Sequence, residues 1–310
     1  MSTALRTTVA GLEFANPVVL ASGTAGYGRE LEGVVDLERL GGFVTKAVSV
    51  EPRHGNVAPR VWDFDGGMIN AVGLANPGLD AVRTDVLPWI AAHVVSPRVL
   101  VNVVGRTIED FAQVVAGLDA SPGFDAFELN VSCPNTRKGG LEFGADFDAL
   151  RALVAGARAA TAKPLFVKLS PMLPDVVATA RVAVESGATG VTLFNTMPGL
   201  VIDVEHRRPV LGFGSGGVSG PALLPVAALA VRRVTQALPG VPVIGVGGVS
   251  TADHVLQLIV AGASLVALGT ASMADPRVGE RIVGELERWC EAHGVSRLDA
   301  LRGTLEWPTT

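Results

Sequence analysis

Cysteine is scarce in this chain: of 310 residues, only Cys133 and Cys290 carry a thiol. Two cysteines cannot build a disulfide framework and are too few to hold an iron–sulfur cluster, which points to a reducing compartment. Positive charge is not concentrated anywhere. With a net charge of −5 and no cluster of Lys and Arg, the chain lacks the electrostatic footprint of a partner for nucleic acid or for an anionic membrane. No apolar run reaches the length of a membrane span. The opening MSTALRTTVAGLEFANP has neither the basic-then-apolar pattern nor the cleavage site of a secretory signal. A cytoplasmic protein is therefore expected. The histidines His54, His93, His206, His254 and His293 share no spacing of a metal site, and no metal is expected. No linker or low-complexity tract divides the chain, which predicts a single domain over residues 1–310.

What is present is a large apolar content, 48% against 18% charged, as in a globular protein with an extensive core. β-rich apolar runs alternate with helical patterns along the whole chain. The expected strands are Val18 to Gly23, Gly42 to Val48, Val99 to Gly105, Ala126 to Ser132, Pro164 to Ser170, Gly190 to Thr196, Val241 to Val249 and Leu265 to Ala271. Most are continuously apolar, as parallel strands covered by helices should be. Expected helices include Leu31 to Leu40, Ile108 to Leu118, Asp146 to Ala160, Asp175 to Ser186, Pro221 to Leu238 and Ala252 to Ala261, several closed by Gly. Eight such units predict an α/β fold, a (β/α)8 TIM barrel. Two connections, Ser49 to Gly78 and Met197 to Ser219, are too long for simple turns and read as insertions on the catalytic face, lids or substrate walls. A C-terminal helix over Pro276 to His293 carries Cys290 beside Trp289 and reads as packing.

The other cysteine has a different setting. FELNVSCPNTRKGG, from Phe127 to Gly140, runs an apolar strand into Asn130 and Ser132, delivers Cys133, and stops at Pro134, which cannot continue a ladder. In a parallel barrel the strand C-termini form the face where chemistry is done. Polar residues gather at the other predicted strand ends too: Ser22, Thr45 with Lys46, Asn102, Lys168 with Ser170, and Asn195 with Thr196. Such groups inside a barrel are costly unless partnered, so they read as the lining of a ligand site. Lys46 and Lys168 are either ion-paired within the barrel or fixed positive charges beside a cofactor ring or an anionic substrate. Glu128 points clearly to neither reading of the lysines and reads as a paired strand carboxylate, its partner unnamed. GVGGV at Gly245 and LGTA at Leu268 end the last two strands and expose backbone N–H groups suited to a phosphate. GFGSGG at Gly212 matches a dinucleotide fingerprint but lies inside an insertion, outside any βαβ unit, and reads as a flexible loop.

Taken together, these motifs resemble the dihydroorotate dehydrogenases over essentially the whole chain: NPVVLASGTAGYG from Asn16, FVTKAVSVEPRHGNVAPRVWDFDGGMINAVGLANPG from Phe43, ELNVSCPNTRKGG from Glu128, FVKLSP from Phe166, LFNTMPG from Leu193, GGVSGPA from Gly216, GVGGVS and LGTA. The resemblance implies an FMN-dependent barrel oxidising dihydroorotate to orotate in pyrimidine biosynthesis. Cys133 would be the base at C5, while hydride leaves C6 for flavin N5. Lys46, Asn70, Ala71, Val72, Gly73, Leu74, Asn130, Asn135, Asn195 and Thr196 would hold substrate. Ser22, Thr45, Lys46, Asn102, Asn130, Lys168, Phe194, Gly220, Gly247, Gly248, Gly269 and Thr270 would hold FMN. TRKGG after CPN and the downstream Phe143–Gly144 resemble the NAD-linked soluble class. That class implies a heterotetramer with an electron-transfer subunit bearing FAD and a [2Fe–2S] cluster, and a homodimer contact. A fumarate-linked enzyme or a dihydropyrimidine dehydrogenase-like reductase would share several motifs; a non-redox barrel binding a phosphate ligand would share the glycines.

Overall fold

The computed structural model describes residues 3–308 except 133 and 136–140, and for 134, 135, 141 and 142 the backbone alone. Eight short apolar strands pair in parallel into a closed barrel in chain order. They are β1 (Val18–Leu20), β2 (Gly42–Val44), β3 (Arg98–Val103), β4 (Ala126–Asn130), β5 (Leu165–Lys168), β6 (Gly190–Leu193), β7 (Val243–Val246) and β8 (Leu265–Leu268). The helices packed outside are α1 (Leu87–His93), α2 (Ile108–Leu118), α3 (Phe147–Ala159), α4 (Val176–Glu185), α5 (Leu224–Ala237), α6 (Ala252–Ala261), α7 (Thr270–Ala274) and α8 (Val278–Ala292). The expected (β/α)8 architecture is the one observed.

The local chemistry that starts these helices is explicit. Thr107 and Asp110 form a reciprocal capping box at α2. The side chains of Asp146, Asp175 and Thr251 accept from the first-turn amides of α3, α4 and α6, satisfying donors the helix itself leaves unpaired. One expected helix does not form. Leu31 to Leu40 is broken into 3-10 turns, Arg29–Leu31 and Leu37–Arg39, because Gly33 sits at φ +74° and β-branched Val34 and Val35 follow it. Instead, a stretch the sequence reading did not name, residues 79–93, supplies the helix between β2 and β3. It passes through a wide π turn, Val82–Val86, just before Pro88, whose missing amide cannot close an ordinary turn.

Alternate residues of each strand face opposite sides, and both sides are filled. Phe127, Leu129, Val101 and Val167 belong to the large cluster under the helices. Leu100, Ala126, Phe166, Ile244 and Leu265 form a smaller cluster within the barrel, closed by Val9 and Phe14. Those two come from an N-terminal hairpin, Thr7–Val9 paired with Leu12–Phe14. It lies at the strand starts, where Arg98 Nε donates to the Glu13 carbonyl at 2.8 Å.

At the opposite end the two long insertions are one object. Gly67–Asn70 of the first pairs with Gly216–Ser219 of the second, and with the flanking Val61–Phe64 and Met197–Gly199 they form a four-stranded antiparallel sheet. The reading of GFGSGG as a flexible loop is corrected at its end: Gly216 and Gly217 are strand residues, while 212–215 lie outside any strand. A Cβ at Gly216 would lie 2.5 Å from the Asn70 carbonyl oxygen, and one at Gly217 would collide with the Thr196 hydroxyl, so only glycine permits this approach. All eight barrel strands end two to four residues before their expected C-termini; beyond β1 and β2 the polar side chains bond backbone groups of neighbouring strand ends, as Ser22 Oγ does with the Thr45 carbonyl. No helix among the described residues is long and apolar enough to cross a membrane.

Candidate active site

Two residues above the apolar floor, the barrel interior becomes polar. Glu128 on β4 is 1% exposed, and strand register sets it beside Asn102 of β3. Asn102 Nδ2 donates to Glu128 Oε1 at 2.7 Å, and Thr192 Oγ of β6 donates to Oε2 at 2.8 Å. Lys168 of β5, in register with Asn130 and Thr192, brings its ammonium 4.0 Å from the same carboxylate. Unit charges at that separation attract by about 4 kcal/mol at an effective dielectric of about 20, which mainly offsets the cost of drying both groups. Of the two readings of the lysines, the interior ion pair is thus realised for Lys168. Lys46 forms none with any described residue. Lys168 Nζ makes no hydrogen bond to a described residue. The Asn102 side-chain oxygen, Oδ1, is buried without a partner among the described residues.

The rim above is built by side chains that cross between strand ends. Asn195 Nδ2 donates to Asn130 Oδ1 at 3.3 Å, and Asn195 Oδ1 accepts from the Thr196 amide at 2.8 Å. Ser22 Oγ donates to the Thr45 carbonyl at 3.0 Å, and Thr45 Oγ accepts from the Asn102 amide at 3.2 Å. Lys46 is held at its backbone by a 2.7 Å bond to the Gly26 carbonyl. Next to it, Tyr27 donates to the Ala47 carbonyl at 3.1 Å. Burial first, and the negative charge of Glu30 second, push the Tyr27 phenol above its ordinary range, so it stays a donor.

Residues 70–74 leave the insertion sheet and return to the strand ends. Asn70 Nδ2 donates to the Gly217 carbonyl at 3.3 Å, the Ala71 carbonyl accepts from Asn56 Nδ2 at 3.1 Å, and the Val72 carbonyl accepts from the Asn56 amide. Gly73 and Leu74 both take positive φ, and Leu74 packs on Ala47 and Val104. Beyond β6, buried Phe194 donates its amide to the Val246 carbonyl at 3.0 Å. Gly220, Gly247 and Gly248 have φ of +143°, +140° and +71°. A Cβ on Gly248 would lie 2.6 Å from the Leu224 amide nitrogen. Thr270 Oγ, following Gly269 at the end of β8, donates to Ser219 Oγ at 2.6 Å, which ties the insertion sheet to the glycine-bearing side of the rim.

The structure therefore gathers the expected residues of β1 to β8 at one end of the barrel. Cys133 lies outside the described residues, and of Asn135 only the backbone of the Pro134–Asn135 strand, paired with Leu141–Glu142, is described. The sequence reading missed the hub of the interior network: Glu128 had no assigned partner and Thr192 was not named. Strand parity was the available signal, since Glu128 lies two residues from Asn130 and so shares its face. Cys290 is 2% exposed in the core under α8. Burial raises its thiol above the usual range.

A model of the dihydroorotate dehydrogenase family matches residues 4–289 of this chain. The "Dihydroorotate dehydrogenase B (NAD(+)), catalytic subunit" of Pelobacter propionicus is 46% identical over 298 residues, covering 96% of this chain and 97% of that protein. Proteins of the same description from Trichlorobacter lovleyi and Cutibacterium acnes are 43% and 41% identical, over 99% and 97% of this chain and 100% and 97% of their own lengths.

Proposed function

The chain belongs to the dihydroorotate dehydrogenase family, and from that premise we propose that it oxidises dihydroorotate to orotate, with FMN as its resident cofactor, as the NAD-linked catalytic subunit of a pyrimidine-synthesising enzyme. The observation that carries the reading is the buried side-chain carbonyl of Asn102, unpartnered among the described residues, on an amide bonded to the carboxylate that the Lys168 ammonium also approaches, with Gly220, Gly247 and Gly248 at positive φ at the same end of the barrel. An acceptor, a fixed cation and a glycine cradle suit a planar, imide-bearing ring with a phosphate tail.

FMN held there by Ser22, Thr45, Lys46, Asn102, Asn130, Lys168, Phe194, Gly220, Gly247, Gly248, Gly269 and Thr270 supplies a two-electron acceptor for the hydride that leaves C6. Asn70, Ala71, Val72, Gly73, Leu74, Asn130, Asn135, Asn195 and Thr196 hold the flat pyrimidine, their amides meeting an edge of alternating donors and acceptors. Cys133 takes the proton from C5 as the C5–C6 double bond forms. A free thiol, with a pKa of about 8.5, is only a few per cent thiolate near neutrality; positive charge from Lys46 favours the thiolate. Lys46 also binds the substrate carboxylate.

The relatives' names describe one subunit of a larger enzyme, and we extend this to the present chain. A partner subunit carrying FAD and a [2Fe–2S] cluster takes the electrons onward to NAD in the cytoplasm, in a heterotetramer built on a homodimer of this chain. Residues 1–310 act as a single domain. The test is direct: the purified chain should be yellow, and anaerobic dihydroorotate should bleach it. NAD reduction should require the co-expressed partner, whereas fumarate and quinones should accept electrons poorly. A colourless protein that takes up no FMN rejects the reading.

A further inference from the structure

The buried carboxylate at the centre of the barrel has no part in the chemistry above, yet it touches two of the groups assigned to the cofactor. We propose that Glu128 is a positioning residue that sets the cofactor's redox poise, by offsetting the charge of Lys168 and by fixing which atom Asn102 presents. The proposal rests on FMN occupying the rim and deepens that reading.

The geometry supports both parts. Glu128 is 1% exposed and both its oxygens are engaged, Oε1 by Asn102 and Oε2 by Thr192. An ionised carboxylate can only accept, so it draws the Asn102 amide nitrogen toward itself and leaves the carbonyl oxygen facing away. That oxygen is buried and unpartnered among the described residues, ready for an N–H of the ligand. Lys168 sits 4.0 Å from Glu128 Oε1, close enough to feel its charge and too far to spend a hydrogen bond on it. A lysine alone at a flavin edge stabilises the electron-rich reduced ring and holds its electrons. With Glu128 behind it, the net charge is smaller and the electrons pass more readily to an acceptor as weakly oxidising as a nicotinamide. A carboxylate that merely cross-linked β3, β4 and β6 would need only the hydrogen bonds, not the charge.

The experiment is redox titration of bound FMN in the wild-type protein and in Glu128→Gln, with FMN affinity measured by fluorescence. The glutamine keeps the shape and can still accept from Thr192. The equilibrium between oxidised and reduced FMN should shift at least tenfold toward the reduced form, a rise of about 30 mV for a two-electron couple. FMN should also bind more weakly as Asn102 loses its fixed orientation. In a Lys168→Met background the same substitution should leave the potential almost unmoved. A Glu128→Asp variant, which retains the charge but draws it back from Lys168, should show a smaller rise and serves where the glutamine variant does not fold. An unchanged potential in a folded, FMN-bound Glu128 variant overturns the proposal, as does an equal shift with and without Lys168. Failure of the wild-type chain to bind FMN would instead defeat the functional reading.

Discussion

The floor and the rim of this barrel are made by the same strands, two residues apart. Along β3, Leu100 gives way to Asn102; along β4, Ala126 to Glu128; along β5, Phe166 to Lys168. The lower member of each pair belongs to the apolar cluster closed by Val9 and Phe14, and the upper member is equally buried but polar. Burial therefore does not separate the two regions. What separates them is whether hydrogen bonding is complete among the described residues: the floor has nothing to satisfy, whereas at the rim Asn102 Oδ1 and the Lys168 ammonium have no hydrogen-bond partner there. Such groups are costly unless a ligand completes them. The comparison implies that stability is concentrated at one end and chemistry at the other.

The largest expected effect is at the rim. Cys133→Ala should slow reduction of bound FMN by dihydroorotate by roughly 100- to 10,000-fold, the usual worth of a general base, while orotate binding and melting temperature stay near wild type. Stopped-flow reduction at a near-normal rate would remove Cys133 from its role. The floor should answer in the opposite way. Phe14, 3% exposed, fills the barrel base, and Phe14→Ala should cost about 3–5 kcal/mol in urea unfolding with little change in kcat for the folded fraction. A large loss of kcat without loss of stability would break the division.

A smaller rim effect is expected from Gly248→Ala. The φ of +71° and the 2.6 Å approach of the new Cβ to the Leu224 amide imply strain of about 1–3 kcal/mol, read as FMN affinity weakened about tenfold or more. Thr107→Ala tests a region that is neither floor nor rim. Loss of the α2 capping box should cost about 1 kcal/mol and leave flavin reduction unchanged. The least perturbing measurement uses no mutation: with Cys290 buried and its thiol raised by burial, Cys290 should resist alkylation in the native chain at mildly alkaline pH and react after unfolding. Rapid modification of Cys290 in the folded protein would show that α8 does not protect it.

Much of the fold was legible because parallel strands bury both faces and so write themselves as short apolar runs. Runs such as Val18–Leu20 and Leu265–Leu268 can be found without knowing their neighbours. Caps such as Thr107 and Asp175 are equally local signals, though the sequence reading did not name them. The first connection was misread for an equally local reason, since the apolar spacing of Leu31 to Leu40 is helical while Gly33 and its β-branched neighbours are not. The rim residues could be named as candidates because polar side chains at the ends of apolar strands stand out.

The sequence by itself determined the number and order of the strands, and which strand ends carry polar groups, because periodicity and composition act over a few residues. Only the tertiary structure decided that Glu128 meets Asn102, Lys168 and Thr192, and that insertions some 150 residues apart join as one sheet. Those outcomes depend on closure and register, which bring distant segments within a few ångströms, and no local pattern encodes which residue will stand across from which.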